Sequence, residues 1–439
     1  MEPVSDLATD TVARLRATFR TGRTKERDWR VRQLTALRTV LTEHEGEFAA
    51  ALNADLGKSK EEGLRTEVVF TVREIDHMLG HLDDWMRPTD APVPEHLAGA
   101  RAWSVLEPLG VVLVIGPWNY PAQLLLAPMA GALAAGNCVV AKPSELAPET
   151  SALLARLLPR RLDPDAVAVV EGGIPETTAL LEQRFDHIFY TGNGGVGRIV
   201  MRAAAEHLTP VTLELGGKSP VFVDRDADVA EVAARLVATK FLNAGQTCVA
   251  PDYVLTDPAT ARGLVAALAR EIPAVYGDDP AASPRYGRIV NERHFDRLSG
   301  LLASGTVAAG GRSDRSARYI EPTVLTGVSP DSPVMCEEIF GPILPVVEVE
   351  DLDEAIDFIV ARDKPLALYA FTRSGATRER LLAETSSGAV TFGLPVAHLT
   401  VPDLPFGGVG ESGMGNYHGP YSMETFSHRK AVLAARDAG

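Results

Sequence analysis

Val111-Val112-Leu113-Val114-Ile115-Gly116-Pro117-Trp118-Asn119-Tyr120-Pro121 is the stretch whose reading decides the fold class. Five aliphatic residues run without a polar interruption and then stop at a glycine and two prolines. A strand buried on both faces of a parallel sheet ends in a turn in this way. Working outward, Cys138–Ala141, Val167–Val170 and His187–Tyr190 read as further buried strands. The segments 122–135, 149–158, 176–183 and 196–207 between them read as crossover helices, so the pattern predicts a parallel α/β sheet. A second strand-and-helix series opens near Val211 and runs through Asp252–Thr256, Ala367–Phe371 and Ala389–Phe392, which predicts a second α/β domain. Upstream, residues 1–86 carry apolar residues at helical spacing, and the proline-rich run Arg87–Pro94 stops the last helix there. That run reads either as a linker or as an excursion toward another domain or subunit.

The charge-free span from Pro108 to Ala141 is long enough to cross a bilayer. It is broken by Pro117, Asn119, Pro121, Gln123, Pro128 and Asn137, which a lipid-facing helix would leave unsatisfied and a buried strand, turn and helix would not. No membrane insertion is therefore expected. A chain of 439 residues has room for two or three domains, and 46% hydrophobic with 23% charged residues is ordinary globular composition. Acidic residues outnumber basic ones, 58 to 43, so the surface repels phosphate backbones and no nucleic-acid partner is expected. Cys138, Cys248 and Cys336 are too few and too far apart for a disulfide framework or a zinc site, and no metal is called for. Acidic residues at Glu2, Asp6 and Asp10, with no apolar run behind a basic start, exclude a secretory leader, and the expected compartment is the cytoplasm.

Several residues have the chemistry of a site. Gly192-Asn193-Gly194-Gly195-Val196-Gly197 fits G-x-G-x-x-G, follows a predicted strand and opens a helical pattern. On spacing alone it is a dinucleotide fingerprint with Glu214 on the ribose, or else only a tight strand-to-helix turn. Cys248 stands among small residues in Asn243-Ala244-Gly245-Gln246-Thr247-Cys248-Val249, where a thiol is accessible as a nucleophile, although an isolated cysteine is more commonly core. Glu214 ends an apolar run, either solvated at a strand end or poised at a reacting centre. Asn119 follows a parallel strand, where an amide can donate to an oxyanion or serve its own turn, and Lys142 and Glu145 follow the next strand in the same manner.

Taken together, PWNYP at 117–121, KPSE at 142–145, FYTGNGGVG at 189–197 and LTPVTLELGGKSP at 208–220 resemble the aldehyde dehydrogenase superfamily. So do GQTCVAPDY at 245–253, EEIFGPILP at 337–345, KPLALYAF at 364–371, PFGGVGESGMGNYHG at 405–419 and TFSH at 425–428. The likeness is greatest to the class 3 branch of fatty and aromatic aldehyde dehydrogenases, and it runs in order from about residue 10 to residue 430.

The resemblance implies two parallel-sheet α/β domains: a Rossmann-like NAD(P)-binding domain of residues 1–88 and 109–213 and a catalytic domain of 214–410. Residues 89–108 and 420–435 would be bridging elements of a homodimer. It also implies that Cys248 is the nucleophile, Glu214 the base for hydrolysis, and Asn119 the oxyanion donor together with the Cys248 backbone N–H. Lys142 and Glu145 would hold the adenosine ribose and the 192–197 turn would face the cofactor. Trp118 and Phe340 would lie beside the nicotinamide, with Glu338 on its ribose. The ribose role thus passes from Glu214 to Glu145.

An aldehyde would then form a thiohemiacetal on Cys248, be oxidised to a thioester with NAD (NADP possible), and be hydrolysed to an acid. Transfer of the thioester to CoA is disfavoured by Glu214, a cofactor-free esterase by the Lys142, Glu145 and Glu338 elements, and a non-catalytic nucleotide-binding protein by the joint presence of Cys248, Glu214 and Asn119. Two features depart from the resemblance. Phe392-Gly393-Leu394 stands where relatives often have Gly-Asn-Asp, which alters the expected substrate entrance. The end at Arg436–Gly439 lacks the apolar tail of membrane-bound relatives, which favours a soluble enzyme.

Overall fold

The computed structural model describes residues 4–435, so Glu2, the first residues of the expected 1–88 segment, and Arg436–Gly439 lie outside it. Val111–Ile115 is wholly buried and sits inside a six-stranded sheet. The strand order is Gly413–Met414, Val211–Glu214, His187–Thr191, Val111–Ile115, Cys138–Lys142, Val167–Val169. All neighbours are parallel except the first pair, and Val114 faces Ala141 on one side and Phe189 on the other.

The charge-free span after it is explained by the helix Gln123–Ala135, every residue of which is buried. This helix packs against the sheet on one side and against helices Arg27–Glu43 and Phe70–Trp85 on the other, so no face remains for a charged residue. Asn137 is buried yet satisfied: its amide donates to the Ala132 and Phe426 carbonyls at 3.1 and 2.9 Å and its oxygen accepts from Gly110 N at 2.8 Å. Among the described residues no helix is long and apolar enough to cross a membrane.

One boundary differs from the sequence reading. Val211–Glu214 does not open the second series; it pairs in parallel with His187–Thr191, Ile188 facing Val211, and extends the first sheet. The helix Gly194–Ala205 supplies the connection between those two parallel strands. The second sheet begins instead at Pro220–Val223 and has seven strands, in the order Thr306–Ala309, Thr323–Thr326, Ile343–Glu348, Tyr253–Thr256, Pro220–Val223, Ala367–Phe371, Ala389–Phe392. Only the first pair is antiparallel. A separate antiparallel ribbon joins Arg101–Pro108 to Thr89–Ala91 on one side and Ser427–Ala434 on the other.

The chain order around these strands defines a meeting line. Asn119, Lys142, Gly192 and Glu214 stand at the carboxyl ends of first-sheet strands, whereas Gly216–Lys218, Cys248 and Glu338–Phe340 stand just before second-sheet strands. The carboxyl edge of one sheet therefore looks toward the amino edge of the other. Open parallel sheets place ligands beyond their carboxyl ends.

Candidate active site

The turn after Val111–Ile115 and the turn before Tyr253–Thr256 are bonded to each other. Asn119, 3% exposed, donates from its Nδ2 to the Gln246 carbonyl at 3.0 Å. The Tyr120 hydroxyl lies 2.7 Å from the Thr247 hydroxyl. Gln246 is itself fixed, its amide donating to the Asn243 and Arg288 carbonyls, both at 2.9 Å, and its oxygen accepting from Val290 N at 3.0 Å. Asn243, Ala244 and Gly245 take φ of 50°, 53° and 75°, three left-handed residues in succession. At Gly245 a Cβ would lie 2.2 Å from the Gly341 carbonyl oxygen, so only glycine fits. Strain of this kind persists where surrounding bonds over-determine it, as those of Gln246 do here.

Cys248 emerges from this turn half-buried, with one side against the core. Burial pushes its thiol up to about 12, the Glu338 and Glu214 carboxylates add to the rise, and the backbone N–H groups of Cys248 and Val249 oppose it. Cys138 is pushed up to about 12 as well, also by burial, but it opens the strand Cys138–Lys142 of the first sheet with no exposed surface.

Glu214 is 2% exposed and neither carboxyl oxygen has a hydrogen-bond partner. Burial lifts it well above the ordinary carboxylate range, which suits it to proton transfer. Its backbone carbonyl accepts from Gly192 N at 3.0 Å, which ties it to the start of the glycine turn.

That turn has two functions. A Cβ at Gly192 would lie 2.2 Å from the Tyr190 hydroxyl and force it to move, and at Gly197 it would press on Leu215 Cδ2 at 3.2 Å. Asn193 accepts from Val196 N at 3.0 Å and caps the helix Gly194–Ala205, whose N-terminal amides present a positive end. Two strands away in the same sheet, Lys142, 2% exposed, donates to the Pro143 carbonyl at 2.7 Å and lies 3.6 Å from Glu145 Oε2. Glu145 is 48% exposed and faces solvent, in contrast to Glu214.

Glu338 comes from the opposite side. Burial pushes it up to about 8, the Asp252 carboxylate adds to that, and the Gly217 backbone N–H lowers it. Its Oε1 is buried without a partner, and its Oε2 occupies the space where a Cβ on Gly216 would be, at 2.0 Å. Lys218 donates to the Glu337 carbonyl at 2.9 Å, and Asp252 accepts from Ile339 N at 3.1 Å, so both flanks of Glu338 are pinned. Phe340 (φ 50°) presents its ring edge-on to Trp118, with centroids 5.3 Å apart at 81°. No group of three potential metal ligands occurs among the described residues.

Sequence reasoning missed the supports of this site. Lys58, Glu62 and Glu67 are buried beneath it and Lys218 and Asp252 beside it. A lone charged residue in a helical pattern reads as surface, and nothing in the spacing of these five acidic and basic residues distinguishes them.

Residues 5–432 match the family model described as "Aldehyde dehydrogenase family". The chain is 52% identical over 422 residues to the mouse protein named "Aldehyde dehydrogenase family 3 member A2", covering 96% of this chain and 87% of that one. It is 50% identical over 424 residues to the rat protein named "Aldehyde dehydrogenase, dimeric NADP-preferring", covering 97% and 94%. The solved structure titled "Substrate bound state of Staphylococcus Aureus AldH" superposes with a TM-score of 0.95 at 44% identity, covering 97% of this chain and 93% of that one.

Proposed function

The chain belongs to the aldehyde dehydrogenase family and is an NAD(P)-dependent aldehyde oxidoreductase, and from that premise we propose that Cys248, Glu214 and Asn119 carry the reaction. The observation that carries this reading is the Glu214 carboxyl, buried with both oxygens unpartnered and close enough to raise the Cys248 thiol. An unsatisfied buried acid costs stability, so its retention points to proton work rather than structure.

In this mechanism Cys248 gives its proton to water, and the thiolate adds to the aldehyde carbon as the C=O π pair moves onto oxygen. The resulting oxyanion receives the Asn119 amide N–H that is not bonded to Gln246, and the Cys248 backbone N–H. Bound nicotinamide supplies the acceptor for the hydride, which turns the adduct into a thioester. Glu214, once deprotonated, takes a proton from water, and the hydroxide equivalent attacks the thioester carbon and releases the acid and the Cys248 thiol. Water as the acceptor distinguishes this from transfer to CoA.

The chain's own residues fit a dinucleotide. The orphaned Glu338 Oε1 is suited to accept from a ribose hydroxyl, with Phe340 and Trp118 forming an aromatic edge beside it. Lys142 and Glu145 on the next strand offer a donor and an exposed carboxylate for the second ribose. Gly192 to Gly197 provide a backbone that a phosphate can approach. Both NAD and NADP are used in the family, as the name of the rat relative indicates.

Residues 4–88 and 109–213 then form the cofactor side and 214–410 the catalytic side. The 89–108 and 420–435 ribbon, whose strand Ser427–Ala434 has one unpaired edge, bridges two copies in a soluble cytoplasmic homodimer. Reduced-nicotinamide formation from NAD and NADP against short, long-chain and aromatic aldehydes, with acid measured as product, tests the reading. Turnover of none of them would leave a nucleotide-binding protein without catalysis.

A further inference from the structure

Beneath the Asn119 turn lies an ion pair that the reaction itself does not use. Lys58 and Glu67 have side chains with 0% exposure, and the Lys58 ammonium is 2.6 Å from Glu67 Oε1. A buried ion pair adds little to stability over a well-packed apolar pair, so its presence calls for a geometric reason. Lys58 also donates to the backbone carbonyl of Asn119 at 2.8 Å and lies 3.9 Å from the Tyr120 ring centroid. Glu67 Oε2 accepts from Ala122 N and Gln123 N at 2.8 and 3.2 Å, the start of the buried helix. One pair of charges thus holds the Asn119 carbonyl and the Ala122 and Gln123 amides, at either end of the turn.

The cradle reaches the nucleophile's turn too. Glu62 accepts from Asn243 N at 2.8 Å, at the first of the left-handed residues, and Asn243 Nδ2 returns to the Asn119 carbonyl at 2.8 Å. The π turn at Leu64–Val69, wider than an α turn, begins two residues after Glu62 and contains Glu67, and it accompanies their facing a single site.

We propose that Lys58, with Glu67 as its counter-ion, is the positioning residue of the oxyanion site. It holds the Asn119 peptide so that the side-chain N–H left free by Gln246 points at the aldehyde oxygen. This rests on the reading of Asn119 as the oxyanion donor. Without Lys58 the Asn119 carbonyl keeps Asn243 alone and Glu67 becomes an unpaired buried charge, so the turn relaxes. A displacement of about 1 Å at such a donor is worth on the order of 10²-fold in rate.

The test is a double-mutant cycle on the full chain, using the aldehyde oxidised fastest in the panel above. The rate constant of the first NADH turnover is measured for Lys58→Met, Asn119→Ala and both together, alongside NAD affinity by fluorescence quenching. Lys58→Met is expected to slow that turnover ~10–100-fold with NAD affinity unchanged. The double variant is expected within about 3-fold of Asn119→Ala, because both changes remove the same interaction. A parental first-turnover rate in Lys58→Met, or a double variant slowed by the product of the two single effects, overturns the proposal. A parental rate in Asn119→Ala overturns the oxyanion reading and the proposal with it. Should Lys58→Met fail to fold, Glu67→Gln decides: it keeps an oxygen for Ala122 and Gln123 but weakens the pair, and the same cycle applies.

Discussion

Glu214→Gln should make the protein more stable as pH rises, relative to the parent. The parent carboxyl is fully buried, without a partner, and lifted well above 4.5. In the unfolded chain it ionises around 4.5, whereas in the folded protein burial shifts its ionisation to higher pH. Above that pH the folded state therefore binds one more proton than the unfolded state, and folding loses about 1.4 kcal/mol per pH unit until the folded value is reached. A glutamine cannot ionise and loses nothing. With about 2 cal/mol/K of unfolding entropy per residue, a chain of 439 residues melting as one unit moves roughly 1 °C per 0.9 kcal/mol. The difference in Tm between Glu214→Gln and parent should therefore widen by about 1.5 °C per pH unit as pH rises above the unfolded value, until the folded value is reached. Differential scanning fluorimetry in matched buffers reads it, and the comparison cancels all other titrating groups. A difference that stays flat with pH, or one that narrows, would mean that burial does not raise the ionisation of Glu214, and the account of its environment would be wrong.

Three further outcomes follow from the same geometry. Site-resolved alkylation of Cys248 in the cofactor-free protein should accelerate about tenfold per pH unit from neutrality to near pH 10, because its thiol is pushed up to about 12, and a plateau near pH 8 would contradict this. Cys138, with no exposed surface, should stay unlabelled throughout. Asn119→Ala should lower kcat by ~10²–10³ with NAD affinity unchanged, and weakened NAD binding at full kcat would make it a cofactor residue instead. Glu145→Gln should raise NADP use relative to NAD, since a carboxylate exposed at a ribose accepts from both hydroxyls and repels a 2′-phosphate; an unchanged ratio of kcat/KM values would refute its placement.

The first sheet was legible because its strands obey a simple rule. Val111–Ile115 and Cys138–Lys142, buried on both faces, have no reason to alternate, and Ala367–Phe371 of the second sheet is read off the same way. The strand Ile343–Glu348 escaped notice because Pro345 interrupts it, yet it lies inside the second sheet, between Thr323–Thr326 and Tyr253–Thr256. Val211–Glu214 was placed in the wrong series since nothing local says which neighbour a strand will pair with.

For the site, spacing alone offered Glu214 for the ribose. Burial separates the candidates, Glu214 at 2% exposure and Glu145 at 48%, and burial is a property of the whole fold. Lys58 and Glu67 had no signal for a related reason. Their value lies in contacts with Asn119, Tyr120 and Ala122, more than fifty residues further along the chain.

The measurement that bears most directly on the mechanism is stopped-flow NADH formation by Glu214→Gln, with intact-mass analysis of the same mixture. With nucleophile, oxyanion donor and hydride acceptor all in place, one equivalent of NADH should appear in a burst. The steady state after it should be slower by ~10²–10⁴, the range for loss of a general base, and Cys248 should carry the acyl group. No burst, no acylated Cys248 and a raised KM for NAD would place Glu214 on the cofactor and contradict the account.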